Sequence, residues 1–333
     1  MSPVLPVWFE IGSMVILVGI LVFDLLMIIK RPHVPTMRES AIWVGVYVAL
    51  ALIFAASMFI IGDAQHGSEF LAGWLTEYSL SIDNLFVFVM ILGAFKVPHK
   101  YVQRALMIGI VLALIFRGIF ILAGAALIER FSAIFYVFGA WLIYTAWKQI
   151  KHDEENADGE GWMVRAFKKV LPFTDEYHGG HTSVKIDGKR YFTPFLLVLI
   201  ALGSTDILFA LDSIPAIFGI TQSPFIVFTA NVFALMGLRQ LYFLLGGLLD
   251  RLEYLHYGIA AILGFIGVKL VLHAISHNEL PFINNGEHID IWTPNTWVSL
   301  GFIVVAMLVA TIASLIKMRK SGERIHGGAY EKE

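Results

Sequence analysis

Long apolar runs broken by short polar clusters dominate the chain. A helix that crosses a bilayer needs roughly 20 mainly apolar residues, and that ruler predicts nine helices, at about 7–29, 40–62, 70–95, 105–126, 131–150, 193–220, 225–248, 253–276 and 295–317. The polar clusters between them alternate in charge. Lys30, Arg31 and Arg38 follow the first run, and Lys96, Lys100 and Arg104 the third. The connection 151–192 holds Lys151, Arg165, Lys168, Lys169, Lys185, Lys189 and Arg190, and the tail holds Lys317, Arg319, Lys320 and Arg324. The alternate connections are acidic instead, with Asp63 and Glu69 in one and Glu279, Glu287 and Asp290 in the other. Lys and Arg accumulate on the cytoplasmic side of membrane proteins. Nine spans put all four basic segments there, with the N-terminus out and the C-terminus in.

Composition agrees with this picture. Residues of the AVILMFWYC set make up 58% of the 333 positions and charged residues 15%, against roughly 45–50% and 25% in soluble domains. So little charge cannot cover a globule of this size with a wet surface, and the fold expected is an all-α polytopic membrane protein. The net charge of −2 supplies no basic face for nucleic acid. The absence of cysteine excludes disulfides, thiolate metal sites, iron–sulfur clusters and cysteine nucleophiles. The first run follows an uncharged start, contains Glu10 and Asp24, and is long enough to remain as a helix rather than be cleaved as a signal peptide. Within 151–192, Trp162 to Leu171 reads as a short amphipathic helix that Lys168 and Lys169 would rest on the inner leaflet.

The chain also resembles itself. Glu77-Tyr-Ser-Leu-Ser-Ile-Asp83-Asn84 aligns with Asp206-Ile-Leu-Phe-Ala-Leu-Asp212-Ser213, each with two acids six residues apart inside an apolar run. Downstream, Phe116-Arg117-Gly matches Leu238-Arg239-Gln, and Phe138-Gly139 matches Leu263-Gly264. Each copy then holds three spans, and an odd number forces the two copies into opposite orientations. That is the inverted-repeat plan of secondary transporters. The expected division is two N-terminal helices in 1–62, a first repeat in 63–150, a cytosolic linker in 151–192, a second repeat in 193–277, and an outer loop, last helix and tail in 278–333.

Four acids in lipid-compatible helices need neutralising, since an Asp at the bilayer centre costs roughly 2.5–3.5 kcal/mol. Either Arg117 and Arg239 pair with them, or a cation binds there and protons replace it on leaving. Six residues rotate about 240° and rise about 9 Å on a regular helix, so the two acids of a copy share a face only if the helix breaks. Gly203, Ser204, Thr205 and Pro215 make a break expected in the second copy. The surrounding donors are oxygens, from Ser79, Ser81, Asn84, Ser204, Thr205, Ser213 and Asn231. An all-oxygen set suits Mg2+, Ca2+ or Mn2+ rather than Cu+ or Zn2+.

These segments, together with Gly264-Phe-Ile-Gly-Val-Lys269-Leu, resemble the TerC family of integral membrane proteins across most of the chain. That family is named for tellurium resistance and includes the Alx-type manganese exporters. The resemblance implies Mn2+ export across the bacterial cytoplasmic membrane, with Glu77, Asp83, Asn84, Asp206, Asp212 and Ser213 as the metal-binding positions. It implies no enzymatic activity and no permanently bound cofactor. Protons are the natural counter-substrate, and contact with secretion machinery is the partner expected beyond the bilayer. The rival reading is a non-transporting membrane partner of secretion or tellurium-resistance machinery, docked through 151–192. An intramembrane aspartyl hydrolase fits less well, because Gly203-Ser-Thr-Asp206 lacks the Gly-x-Gly-Asp form.

The remaining polar residues carry two readings each. Asp24 is either a proton relay or accessory ligand, or a packing residue; Glu10 lies near the outer interface. Lys269 either replaces a cation in one transport state or pairs with an acid. His178 and His181, with Asp175 and Glu176, form either a metal-catching or a plain solvated loop. His273 and His277, with Glu279 nearby, read as interfacial histidines or a weak exit site. Gly246 with Gly247, and Gly264 with Gly267, suit close helix packing.

Overall fold

A computed structural model describes residues 5–30, 35–131, 133–151, 162–174, 176–178, 180–186, 189–245, 254–276, 278, 284 and 289–320. Its elements are α1 (Val7–Lys30), α2 (Met37–Ser57, closed by a π turn over Met58–Gly62), α3 (Ala64–Ala94), α4 (His99–Arg130) and α5 (Ile134–Lys151). Next come α6 (Trp162–Val170), a hairpin of β1 (Ser183–Ile186) and β2 (Lys189–Phe192), α7 (Pro194–Phe218), α8 (Pro224–Met236), α9 (Leu238–Leu245), α10 (Leu255–Ser276) and α11 (Thr296–Lys320). Helix starts follow local chemistry. Thr36, Asp63 and Ser223 each accept the amide three residues on, satisfying an N–H that the helix leaves without an intrahelical partner. Pro194 and Pro224 occupy first-turn positions where a missing N–H costs nothing.

Among the described residues, eight helices are long and apolar enough to cross a membrane, where the hydrophobic pattern predicts nine. The one that falls short is α5, whose 18 residues include Lys148, Gln149 and Lys151. It lies along α10 at close range. A Cβ on Gly139 would come within 2.8 Å of the Gly267 carbonyl, and one on Gly267 within 2.9 Å of the Gly139 carbonyl, so two facing glycines let the backbones meet. Gly264 makes the looser approach to Ala146; Gly246 and Gly247 lie outside the described residues.

The centre is formed by α3, α7 and the α8–α9 pair. The α8–α9 span is 94% buried, whereas those of α1 and α11 are 17% and 22% buried, so the latter form the rim. Exposed apolar residues such as Val15 of α1, Ile53 of α2, Leu122 of α4, and Val305 and Leu308 of α11 give the outside a lipid-compatible wall. Contacts between the two repeat-bearing segments cross over: α3 lies against α8, α4 against α7, and α5 against α10.

One local expectation is revised. The α7 helix runs unbroken through Gly203–Thr205, with Pro215 inside it. The break falls instead at Gly237, which separates α8 from α9. The linker also holds an antiparallel hairpin beyond the expected helix, with Ser183 paired to Phe192 and Ile186 to Lys189. Its sequence signal is Asp187-Gly188, a favoured two-residue turn dipeptide, set between strands rich in β-branched and aromatic residues. Of the amphipathic segment, α6 matches the expected helix to within a residue.

Candidate functional site

Arg117, 1% exposed, heads the fully buried side chains, and the candidate site is built around it. From α4 its guanidinium forms an ion pair with Glu77 of α3 and contacts Asp206 Oδ1 of α7 at 3.3 Å. Nη1 donates to Asn231 Oδ1 of α8 at 2.8 Å. Asn84 completes the ring: with its amide set by the hydrogen-bond network, it accepts from Nη2 at 3.2 Å and donates to the Leu80 carbonyl at 3.0 Å. Four helices thus converge on one cation through groups that are all buried.

Two carboxyl groups face one guanidinium in the cluster. Glu77 Oε2, Asp206 Oδ2, Ser81 Oγ and Ser213 Oγ are buried with no hydrogen-bond partner among the described residues. Polar oxygens left unsatisfied in a dry interior are costly. This is a site with vacant coordinating capacity, and its chemistry is that of hard oxygen donors.

The other expected positions divide. Because α7 is unbroken, Asp212 is turned away from Asp206 and towards α5, where it accepts from Trp141 Nε1 at 2.8 Å and Thr145 Oγ1 at 3.0 Å. The backbone of Asp83 lies within α3, but its side chain is outside the described residues. Ser79 and Ser204 bond back to the carbonyls of Leu75 and Ala201 on their own helices, so neither hydroxyl donates into the cluster.

The two matched arginines part company. Arg239 of α9 does not join the acids aligned with it; it contacts Asp24 Oδ1 of α1 at 3.4 Å. Tyr47 of α2 and Gln240 lie in the same polar group. Asp24 is therefore paired, and its partner comes from the repeat that α1 stands outside. Trp141, Thr145, Tyr47 and Gln240 carried no distinguishing pattern in sequence, because a single polar residue in an apolar helix does not reveal which way it points.

The histidine loop is held against the end of α3 and the start of α4. Tyr177 donates to the Phe95 carbonyl at 2.7 Å, burial raises its hydroxyl to about 12, and Gly180 turns at φ 70° against Tyr101. His178 Nδ1 lies 3.0 Å from the Glu176 carbonyl. Asp175, His277 and Glu279 lie outside the described residues. Among those described, no cluster of three or more His, Asp or Glu side chains is arranged to hold a metal.

Comparison with known proteins agrees with the fold. The model of the integral membrane protein TerC family matches residues 62–322. An uncharacterized membrane protein of Mycobacterium tuberculosis is 43% identical over 312 residues, covering 92% of this chain and 79% of the relative. One from Myxococcus xanthus is 38% identical over 309 residues, covering 92% of each. A protein of Escherichia coli named putative membrane-bound redox modulator Alx is 40% identical over 277 residues, covering 80% of this chain and 86% of the relative. No solved structure matches. With its apolar helices, acidic segments and family match in agreement, the chain belongs to the TerC family of integral membrane proteins.

Proposed function

We propose that this protein is a secondary transporter, not an enzyme, that exports Mn2+ from the cytoplasm across the bacterial inner membrane in exchange for protons. The observation that carries this reading is the sharing of Arg117 by Glu77 and Asp206, with carboxylate oxygens left unpartnered in a buried centre. A divalent cation supplies the partner these oxygens lack, and protons take its place when the ion leaves.

The crossed packing of α3 on α8 and α4 on α7 is what a two-fold relation between inverted halves requires, and α5 counts as the ninth span because it follows α10. With the N-terminus outside, α3 descends and α7 ascends. The backbone positions then step along the helices by roughly 9 Å: Asp83 towards the inner side, Glu77 and Asp206 midway, Asp212 towards the outer side. Asn84 and Asn231 add neutral donors beside Arg117, and Ser213 lies next to Asp212 on the outer side. Mn2+ accepts such oxygen sets and binds weakly enough to be released. The redox name of the E. coli relative has no thiol basis in this chain, which contains no cysteine.

The test is Mn2+ flux in proteoliposomes for wild type, Glu77→Gln and Asp206→Asn. Transport by the wild type that is abolished in both variants supports the site. Equal flux in all three would make the cluster structural. A folded, oriented wild type without flux would turn the reading to the non-transporting partner of secretion or tellurium-resistance machinery.

A further inference from the structure

A second polar region lies apart from the Arg117 cluster. Between α3, the α7–α8 connection, α10 and the start of α11 there is a pocket of about 520 Å3. Glu69, Thr221, Lys269 and His273 are among its lining residues. Most such residues would be unremarkable at a helix end, but Glu69 is only 9% exposed. It stands eight residues before Glu77 on the same continuous helix, a rise of about 12 Å.

Glu69 is held by two side-chain donors with coordination to spare. Gln65 Nε2 donates to Oε1 at 2.8 Å, and Thr221 Oγ1 donates to Oε2 at 2.5 Å. Each oxygen therefore accepts one bond from these two fixed donors and keeps capacity for another. Lys269 is the charged group opposite. Its ammonium donates to Ser299 Oγ at 3.1 Å, while Glu69 lines the same pocket from α3 without a direct ion pair to it among the described residues. His273 is turned aside, its ring edge-on to Phe135 at 5.0 Å and its Nε2 at 3.3 Å from the Gln222 amide.

We propose that this pocket is an outward-facing cation chamber, in which Glu69 is the anionic ligand and Lys269 a tethered cation that competes with the ion for it. The inference rests on the transport reading for its direction and its cargo. The volume exceeds that of a water, about 30 Å3, many times over, so a divalent ion enters with much of its hydration shell. Such an ion gains one carboxylate and neutral oxygens from Thr221 and Gln65, a weaker set than the central cluster and suited to release. With the ion present, Lys269 stays on Ser299. With the ion gone, its long flexible stem lets the ammonium swing to Glu69, so the carboxylate is neutralised without recapturing the ion.

The chamber is tested by counting bound Mn2+ on the full-length protein in lipid nanodiscs, from the loss of the free-ion electron paramagnetic resonance signal. Wild type is expected to bind a tighter ion at the centre and a weaker one in the chamber. Glu69→Gln loses the weaker ion and keeps the tighter one, which also shows that the variant is folded. Lys269→Met keeps both and holds the weaker ion about tenfold more tightly, since a nearby positive charge has been removed; Lys269→Arg binds as wild type does. The proposal is overturned if Glu69→Gln binds as wild type does, if Lys269→Met shows no tightening, or if wild type has no weaker ion. A weaker ion that depends on Glu69 in a protein showing no Mn2+ flux would leave the chamber standing and remove the transport reading alone.

Discussion

Arg117 of α4 and Asn231 of α8 meet at 2.8 Å, guanidinium to amide oxygen, at a point where both are 1% exposed. The contact joins the two repeat-bearing segments, 114 residues apart in the chain, and the same guanidinium also holds Glu77 and Asp206. Removing it should therefore cost more than one interaction.

Arg117→Met leaves two buried carboxylates without their counter-charge. It is expected to lower stability by about 3–5 kcal/mol, the usual cost of breaking a buried pair from one side. Thermal unfolding in detergent measures this. Adding Glu77→Gln and Asp206→Asn to the same protein should recover most of the loss. If the triple variant is no more stable than Arg117→Met, the penalty does not come from uncompensated charge.

The Asp24–Arg239 contact is longer, at 3.4 Å, and its side chains are 21% and 10% exposed. It is a single contact, and Asp24→Asn keeps an oxygen acceptor for Arg239, so the change should cost less than Arg117→Met. The effect should concentrate in the second half of α1. Hydrogen exchange that accelerates there and not in α3 would match; uniform acceleration would not.

Helix contact between α5 and α10 depends on two missing side chains. Gly139→Ala places a Cβ within 2.8 Å of the Gly267 carbonyl and 2.7 Å of Val271, which should cost about 1–3 kcal/mol by overpacking. Gly45 has nothing within 4 Å of its would-be Cβ, so Gly45→Ala should be neutral or stabilising by about 0.5–1 kcal/mol through lower backbone freedom. Denaturant titration of the pair separates close packing from intrinsic helix preference.

Asp63 caps α3, accepting the His66 amide at 2.8 Å and lying 2.7 Å from its Nδ1. These contacts hold its carboxyl below the usual value, with the His66 amide the largest cause. A depressed folded value means that the capping stability is fully present above the unfolded value, about 3.9. It is lost as pH falls through the folded one. Asp63→Asn keeps an acceptor without the charge, so its melting temperature should vary less than that of wild type between pH 5 and pH 2. Parallel curves would show that the carboxylate contributes nothing through ionisation.

The chain's apolar rhythm and the alternating charge of its connections already specify a polytopic helical protein, because lipid requires long apolar helices whose backbone bonds are satisfied internally. The paired acids and matched arginines were likewise visible, since ionisable residues in such helices are rare. Sequence alone also foresaw α6 and the glycine contact at Gly267. Tertiary structure decided which charges meet. Arg117 finds Glu77 and Asp206, while its counterpart Arg239 finds Asp24; nothing in two similar sequence contexts distinguishes those outcomes. The unbroken α7 turned Asp212 to Trp141 and Thr145, and the extension of α3 to Ala64 carried Glu69 from an expected loop into a buried helix turn. The physical reason is common to all three. Hydrophobic pattern determines that a helix forms and which residues it contains, whereas the partner of a buried charge depends on the rotation and depth of neighbouring helices, which only the packed assembly sets.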